Sequence, residues 1–448
     1  MARVLPFRGH RYRVETVGDL AAVVSPPYDV ISDELRHALH RRHPHNIIRL
    51  ILGEDRAGDG PEENRYRRAA RYFQEWEATG IVLREAAPAF YIYEQEYPWK
   101  QGERRTRIGL IGAVGLEEYG AGVIFPHEQT LPGPKADRLR LMQALPVDLE
   151  QIFCFYPGPS GAISDLLRSA TRTHPLGDFV DEADVRHRLW ALQDAAAIAK
   201  LILAFRERPL FIADGHHRYE TALTFREEMR RTDTTARPEK AYNFVMMTLV
   251  SIEDRGLTVL PTHRLIRSDW SRGGAEILGI LRPHFHCEER RIGGGEGALQ
   301  KILKEMEEQG RHGHVFGLYT GGETVSLVTP KDPRVAEELI APGRSHHAPV
   351  LDVVIVDRLV FRRLLGLEGS GMIGFTQDED VAFHEVRHGR AAAAFFLNPT
   401  PLEQVAATVT AGERLPPKST YFYPKLVSGL VCLKVDPDEV LEASKEAL

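Results

Sequence analysis

The chain has 448 residues, of which 43% are hydrophobic and 27% charged, and its formal net charge is −6. That length exceeds one ordinary core, so two or three domains are expected. The acidic balance excludes a global positive field that would gather nucleic acid, leaving only local basic patches.

Three cysteines, Cys154, Cys287 and Cys432, lie too far apart for a disulfide framework or a zinc spacing. A reducing cytoplasm is the simplest setting for them. The start, "MARVLPFRGHRYRV", lacks the apolar run of a signal peptide. No stretch approaches the roughly 18 apolar residues that span a membrane.

Residues 1–30 read as short strands and turns ending at "SPPYDVIS", where two prolines exclude helix. Ser32 is placed to cap a helix over "DELRHALHRRH". In "EENRYRRAARYFQEWEATG", Tyr66, Ala69, Ala70, Phe73 and Trp76 recur at helical spacing up to Gly80. "AFYIYEQEYPWKQGERRTRIGLIGAVGLEEY" alternates about a polar centre and predicts a β-hairpin turning near Lys100 to Gly102. "LLRSATRTHP", "LWALQDAAAIAKLILAF" and "RYETALTFREEMRR" read as helices, "PLFIA" and "YNFVMMTLVSI" as buried strands.

Further on come a helix ("EGALQKILKEMEEQG"), strands ("HVFGLYT", "TVSLVT") and loops ("GGGEG", "APGRSHHAP"). "LDVVIVDRLVFRRLLG" continues into a helix, while "AAAAFFLNPT" and "LPPKSTYFYPKLVSGLVCLKV" suggest more strands. The irregular alternation predicts a mixed α/β (α+β) architecture. Its boundary is placed in the polar "RSDWSRGG", dividing 1–268 from 269–448.

The densest chemistry is "FIADGHHRYETAL", at a strand-to-helix turn. Gly215 allows backbone conformations that other residues resist. The helix that follows begins with unpaired N–H groups and a dipole that attract an anion. Arg218 adds a fork of donors suited to phosphate, and His216 and His217 can donate to phosphate or move a proton. Asp214 suits Mg²⁺ bound to phosphates, or a base toward a hydroxyl. Two other readings stay open: a metal site, although adjacent histidines diverge on a helix, and an Asp–Gly turn with solvated histidines.

A second concentration is "VIFPHEQTLPGPKADRLRLMQAL". Glu128 is a candidate general base, and Lys135 and Arg138 are candidate phosphate ligands; His127 stands beside the base. An ordinary charged loop is the competing reading. Weaker substrate-binding candidates are Tyr28 and Asp29 after the double proline, Arg49 in "HNIIRL", His263 and Arg264 in "VLPTHRLI", and Lys418 and Ser419 in "PPKSTYFYPKL". That last stretch also carries Lys425 and reads as a strand with a basic, hydroxyl-bearing face able to close over an anionic ligand. Lys–Ser–Thr there has no GxxxxG before it and is no Walker motif. His346 and His347 are read as a surface loop with a weak metal role.

"GHHR" at a strand-to-helix turn resembles the nucleotide-phosphate motif of the ParB/sulfiredoxin-like fold, and "DGHHR" is closest to the free-serine kinases of that superfamily. "SPPYDVIS", "FPHEQT", "DGHHRYETAL" and "PPKSTYFYPKLVSGL" together resemble the DUF1015 family, often labelled ParB/SpoOJ-like, over nearly the whole chain. The resemblance implies a ParB/sulfiredoxin-like nucleotide-binding core with elaborations and a second α/β portion. It also implies a kinase acting on free serine or a similar hydroxy amino acid, with ATP or ADP as donor and Mg²⁺ as cofactor. Gly215, His216, His217 and Arg218 would cradle phosphates, Asp214 would hold Mg²⁺ or the acceptor, and Glu128 would act as base. A phosphoserine phosphatase and a non-catalytic nucleotide- or DNA-binding regulator are the alternatives.

Partners are then a nucleotide and a small hydroxy amino acid or its phosphate, with nucleic acid and membrane disfavoured and a homodimer left open. The literal "GERR" at Gly102 to Arg105 sits in the expected hairpin turn, without a helix after it, and is rejected as the phosphate site. "AGERLPPK" at 411–418 is followed by prolines and is rejected for the same role.

Overall fold

The computed structural model describes residues 2–270, 272–293, 296–332, 349–368 and 371–441. His346, His347 and most of "APGRSHHAP" lie outside the described residues, as do two glycines of "GGGEG". The chain falls into two compact units. Met1–Pro126, Thr130–Thr258 and Pro424–Leu448 make the first, and His127–Gln129 with Val259–Tyr423 the second. Helices and sheets are interleaved in both, a mixed α/β fold.

The first unit is built on a nine-stranded mixed sheet. Its strands are β1 (Val4–Leu5), β2 (Phe90–Pro98), β3 (Arg104–Gly115), β4 (Ile124–Phe125), β5 (Ile152–Tyr156), β6 (Gly177–Val180), β7 (Arg186–Leu192), β8 (Leu210–Asp214) and β9 (Phe244–Ser251). They run in the order β4-β8-β5-β9-β3-β2-β7-β6, with β1 paired to β3. β2 and β3 form the expected antiparallel hairpin, Tyr91 opposite Ile111, and Gly102 turns it at φ +81°. "GERR" thus lies in a hairpin, with Arg104 paired to Glu96 and Asp184.

Around the sheet lie α1 (Asp33–Arg42), α2 (Arg65–Ala78), α3 (Pro132–Ala144), α4 (Gly161–Ala170), α5 (Ala195–Arg206) and α6 (His216–Thr232). Ser32 caps α1 by accepting from the Leu35 N–H, as its position predicts. Two expectations differ. "LWAL" was expected to open a helix, but it ends β7, with Leu189 and Trp190 buried opposite Tyr93 and Ile92, and the helix starts only after its cap, Asp194. Cross-strand packing outweighs helix propensity there. Residues 1–30 also hold short helical turns, Val14–Val17 and Leu20–Val23.

The C-terminal stretch belongs to this unit: Leu433–Lys434 pairs with Val147–Asp148, and Ser428 bridges Ser25.

The second unit carries a six-stranded antiparallel sheet: β10 (His263–Arg267), β11 (Phe285–Arg291), β12 (Phe316–Tyr319), β13 (Thr324–Pro330), β14 (Ile373–Thr376) and β15 (Ala391–Phe396), in the order β11-β13-β12-β15-β10-β14. Helices α7 (Glu296–Gly310) and α8 (Glu379–Arg387) cover it. Leu299, Ile302 and Met306 of α7 and Phe383 and Val386 of α8 bury their apolar stripes in one core with Leu327 and Phe396. "LDVVIVDRLVFRRLLG" is helical as expected, but Ile355–Leu364 is a π-helix.

Candidate phosphate-binding turn

β8 lies inside the sheet between β4 and β5, and Leu210 to Ala213 are at most 5% exposed. Its pairing with β5 shifts register between Ile212 and Asp214. Such a bulge re-aims the following side chain, here Asp214 at the strand's end. Gly215 then takes φ +98°, a left-handed conformation that costs a residue with a Cβ about 1–2 kcal/mol. A Cβ on Gly215 would also lie 3.1 Å from the Arg218 guanidinium. The 17-residue α6 starts at His216 with no side-chain cap. Its first-turn N–H groups have no partner within the helix.

Around this turn the first unit assembles a dense ionic cluster. Asp214 Oδ2 accepts from Arg218 Nη2 at 2.9 Å, and its Oδ1 accepts from Lys425 Nζ at 2.9 Å. Arg218 Nη1 donates to the Gln151 carbonyl at 2.6 Å, while its Nε is buried without a hydrogen-bond partner. The fork that the sequence offers to phosphate is therefore turned largely into the protein.

Burial pushes the Asp214 carboxyl up, but the charges of Lys425 and Arg218 outweigh it and hold the group well below the usual carboxylate range. Asp29 is shifted the other way. Crowding by protein and the charge of Asp214 raise it, against Arg218 and Lys425.

Behind the turn, Glu150 accepts from the Tyr28 N–H at 3.0 Å and from Ser428 Oγ at 3.0 Å. Arg138 lies 3.7 Å from Glu150 and stacks 4.2 Å over the Tyr28 ring. Burial pushes the Tyr28 hydroxyl up to about 12. Arg138, Asp148, Glu150 and Arg218 line a cavity of about 50 Å³ beside α6. Asp148 is 7% exposed and accepts from the Met246 N–H at 2.8 Å; burial pushes it up to about 7.

On the outer face, α3 packs along α6. Glu220 accepts from Thr130 Oγ1 at 2.5 Å and from Lys135 Nζ at 2.8 Å. His217 Nε2 accepts from the Leu131 N–H at 2.9 Å. Lys135 is thus held in an ion pair beside the turn, and His216 is 4% exposed. Arg49 donates to the His40 carbonyl at 2.8 Å. Asp214, Gly215, Arg218, Tyr28, Asp29 and Arg138 are brought together.

In the second unit another group gathers. Glu128 Oε1 accepts from the Lys418 N–H at 3.2 Å, and the Glu128 carbonyl accepts from Arg414 Nη1 at 3.2 Å. His127 Nε2 lies 2.9 Å from Thr420 Oγ1. Lys418 holds the left-handed φ of +58° with an exposed side chain. Ser419 donates to the Pro416 carbonyl at 2.6 Å.

His263 and Arg264 are 2% and 3% exposed at the start of β10, which places them in the core. Burial pushes His263 down to about 4 and Arg264 down to about 10. Arg264 is anchored on the Lys418 carbonyl at 3.0 Å.

The sequence points to Asp214 for Mg²⁺. Both its oxygens already face cations, so a metal there would sit against two positive charges. Among the described residues no group of three or more His, Cys, Asp or Glu is placed to hold a metal ion. The residues present do not fit a resident Mg²⁺ at Asp214. Glu150, Gln151, Asp148 and Glu220 are groups around the turn that sequence reading did not select, whereas Lys425 belongs to the basic face read in "PPKSTYFYPKL". The sequence marks that basic face but not its partner, and the fold sets Lys425 on Asp214.

No helix among the described residues is long and apolar enough to cross a membrane. Among solved structures, the chain is similar to a free serine kinase mutant in complex with AMP, at 14% identity and TM-score 0.35, covering 71% of this chain and 90% of that one. A conserved hypothetical protein from Pyrococcus furiosus matches at 14% identity and TM-score 0.32, covering 71% and 94%. SbnI from Staphylococcus aureus, truncated at its C-terminus, matches at 10% and 0.34, covering 71% and 85%. No curated protein sequence matches. The model of a family described as a protein of unknown function, DUF1015, matches residues 4–354, and the chain belongs to that family.

Proposed function

We propose that the turn at Gly215 binds the phosphates of a nucleotide, and that the protein is a phosphotransferase acting on free serine or a similar hydroxy amino acid. One observation carries the reading. A glycine in the left-handed conformation opens a 17-residue helix directly after a buried strand, with a lysine and an arginine paired to Asp214 at its mouth. That is the context in which backbone amides and a helix dipole hold phosphate. The "DGHHR" spelling, which resembles the free-serine kinases, stands on this turn.

Phosphoryl transfer needs positioning, charge neutralisation and a group to orient the acceptor hydroxyl. The amides opening α6 and His216 and His217 would position the phosphates. Glu128 is the proposed base, on sequence grounds: a carboxylate on an irregular segment that precedes the phosphate motif. The same anion site would serve a phosphatase.

Incubation of the protein with ADP or ATP, Mg²⁺ and L-serine is expected to yield phosphoserine. Absence of both phosphoserine and nucleotide turnover contradicts the kinase. Phosphate release from phosphoserine without nucleotide assigns the phosphatase instead.

A further inference from the structure

Resting on the nucleotide reading, we propose that Lys425 supplies at the Gly215 turn the positive charge that the sequence alone assigns to a magnesium ion on Asp214. Lys425 Nζ sits 2.9 Å from Asp214 Oδ1, one residue before the glycine that opens α6. Its own backbone is fixed. Gln95 Nε2 donates to the Lys425 carbonyl at 2.9 Å, and the buried Arg107 donates to the Pro424 carbonyl at 2.6 Å. Three residues on, Ser428 is tied to Glu150. A fixed backbone with a four-carbon stem lets the ammonium exchange between Asp214 and a phosphate oxygen without moving the fold, and an ammonium binds phosphate as a point charge.

Asp214 is then the acid that positions Lys425 and Arg218. Its two oxygens face those cations, which disfavours a metal ion at the same carboxylate.

The test is titration of the full chain with ADP by calorimetry, once in EDTA and once with Mg²⁺. Wild type is expected to bind ADP alike in both buffers. Lys425→Met is expected to bind about tenfold to hundredfold more weakly, the loss of one charge-assisted hydrogen bond. Lys425→Arg, which keeps the charge, is expected to restore most of the affinity, an outcome that a purely packing role for the side chain would not give. Circular dichroism checks that each variant is folded.

Wild-type binding that disappears in EDTA overturns the proposal, as does a folded Lys425→Met that binds like wild type. A folded Lys425→Arg that binds as weakly as Lys425→Met overturns it too. If wild type binds ADP in neither buffer, the nucleotide reading itself fails and the inference falls with it.

Discussion

Asp214 and Arg218 close an ion pair of 2.9 Å across the left-handed Gly215, joining the end of β8 to the first turn of α6. The pair ties the strand end to the helix start, so the orientation of the helix's first turn is set by a part-buried ion pair as well as by backbone.

Gly215→Ala tests the backbone part. The new Cβ forces a side chain into φ +98° and against the Arg218 guanidinium. Stability is expected to fall by about 1–2 kcal/mol, read as a lower urea midpoint, and ADP affinity is expected to fall with it. An alanine variant with wild-type stability and affinity would show that the turn does not need its glycine.

Arg218→Ala tests the ionic part. It strips the Gln151 carbonyl of its donor and leaves Asp214 with Lys425 alone. Breaking a fully buried pair costs about 3–5 kcal/mol; this one is part-buried and Asp214 keeps Lys425, so a smaller drop in unfolding free energy is expected together with weaker ADP binding. A loss confined to binding would mean that Arg218 serves the ligand and not the fold.

The fold was legible where local chemistry decides it. The Ser32 cap, the hairpin around Gly102 and the strand-turn-helix at Gly215 all follow from short-range rules. "LWAL" misled because its apolar run fits either helix or strand, and only pairing with β2 settles it. The candidate site was legible in its centre and in part of its surroundings, where Tyr28, Asp29 and Arg138 gather. Asp214 to Arg218 announce themselves as a motif and Lys425 as part of a basic face, but their pairing spans 211 positions and no local rule gives it. Glu150 is recruited by Tyr28 and Ser428, which no sequence spacing links. His263 and Arg264 were weak substrate-binding candidates and lie 2% and 3% exposed, a burial that a polar His–Arg pair does not signal in sequence.

Asp148 predicts a pH dependence. Its folded value, about 7, lies above the unfolded carboxylate value of 3.8. The folded chain therefore holds the proton more tightly than the unfolded chain. The stability this gives is present at low pH and is lost as pH rises through that interval, at up to about 1.4 kcal/mol per unit. Asp148→Asn, which cannot ionise, is expected to gain stability relative to wild type as pH rises toward neutrality in urea titrations. Parallel wild-type and variant curves would place the Asp148 carboxyl in the ordinary range.

Arg104→Ala is the control for the misplaced "GERR". Arg104 is 38% exposed and pairs with Glu96 and Asp184 in the hairpin. Surface pairs of this kind contribute about 0–1 kcal/mol, so stability should change little and ADP affinity should not change. A loss of ADP binding in Arg104→Ala would move the phosphate site to the hairpin.

The central claim, that phosphate binds at the start of α6, is tested most directly by amide hydrogen exchange with and without ADP. Slowed exchange at His216, His217 and Arg218 on adding ADP is the predicted result. Binding of ADP that protects other amides and leaves these three unchanged would contradict it.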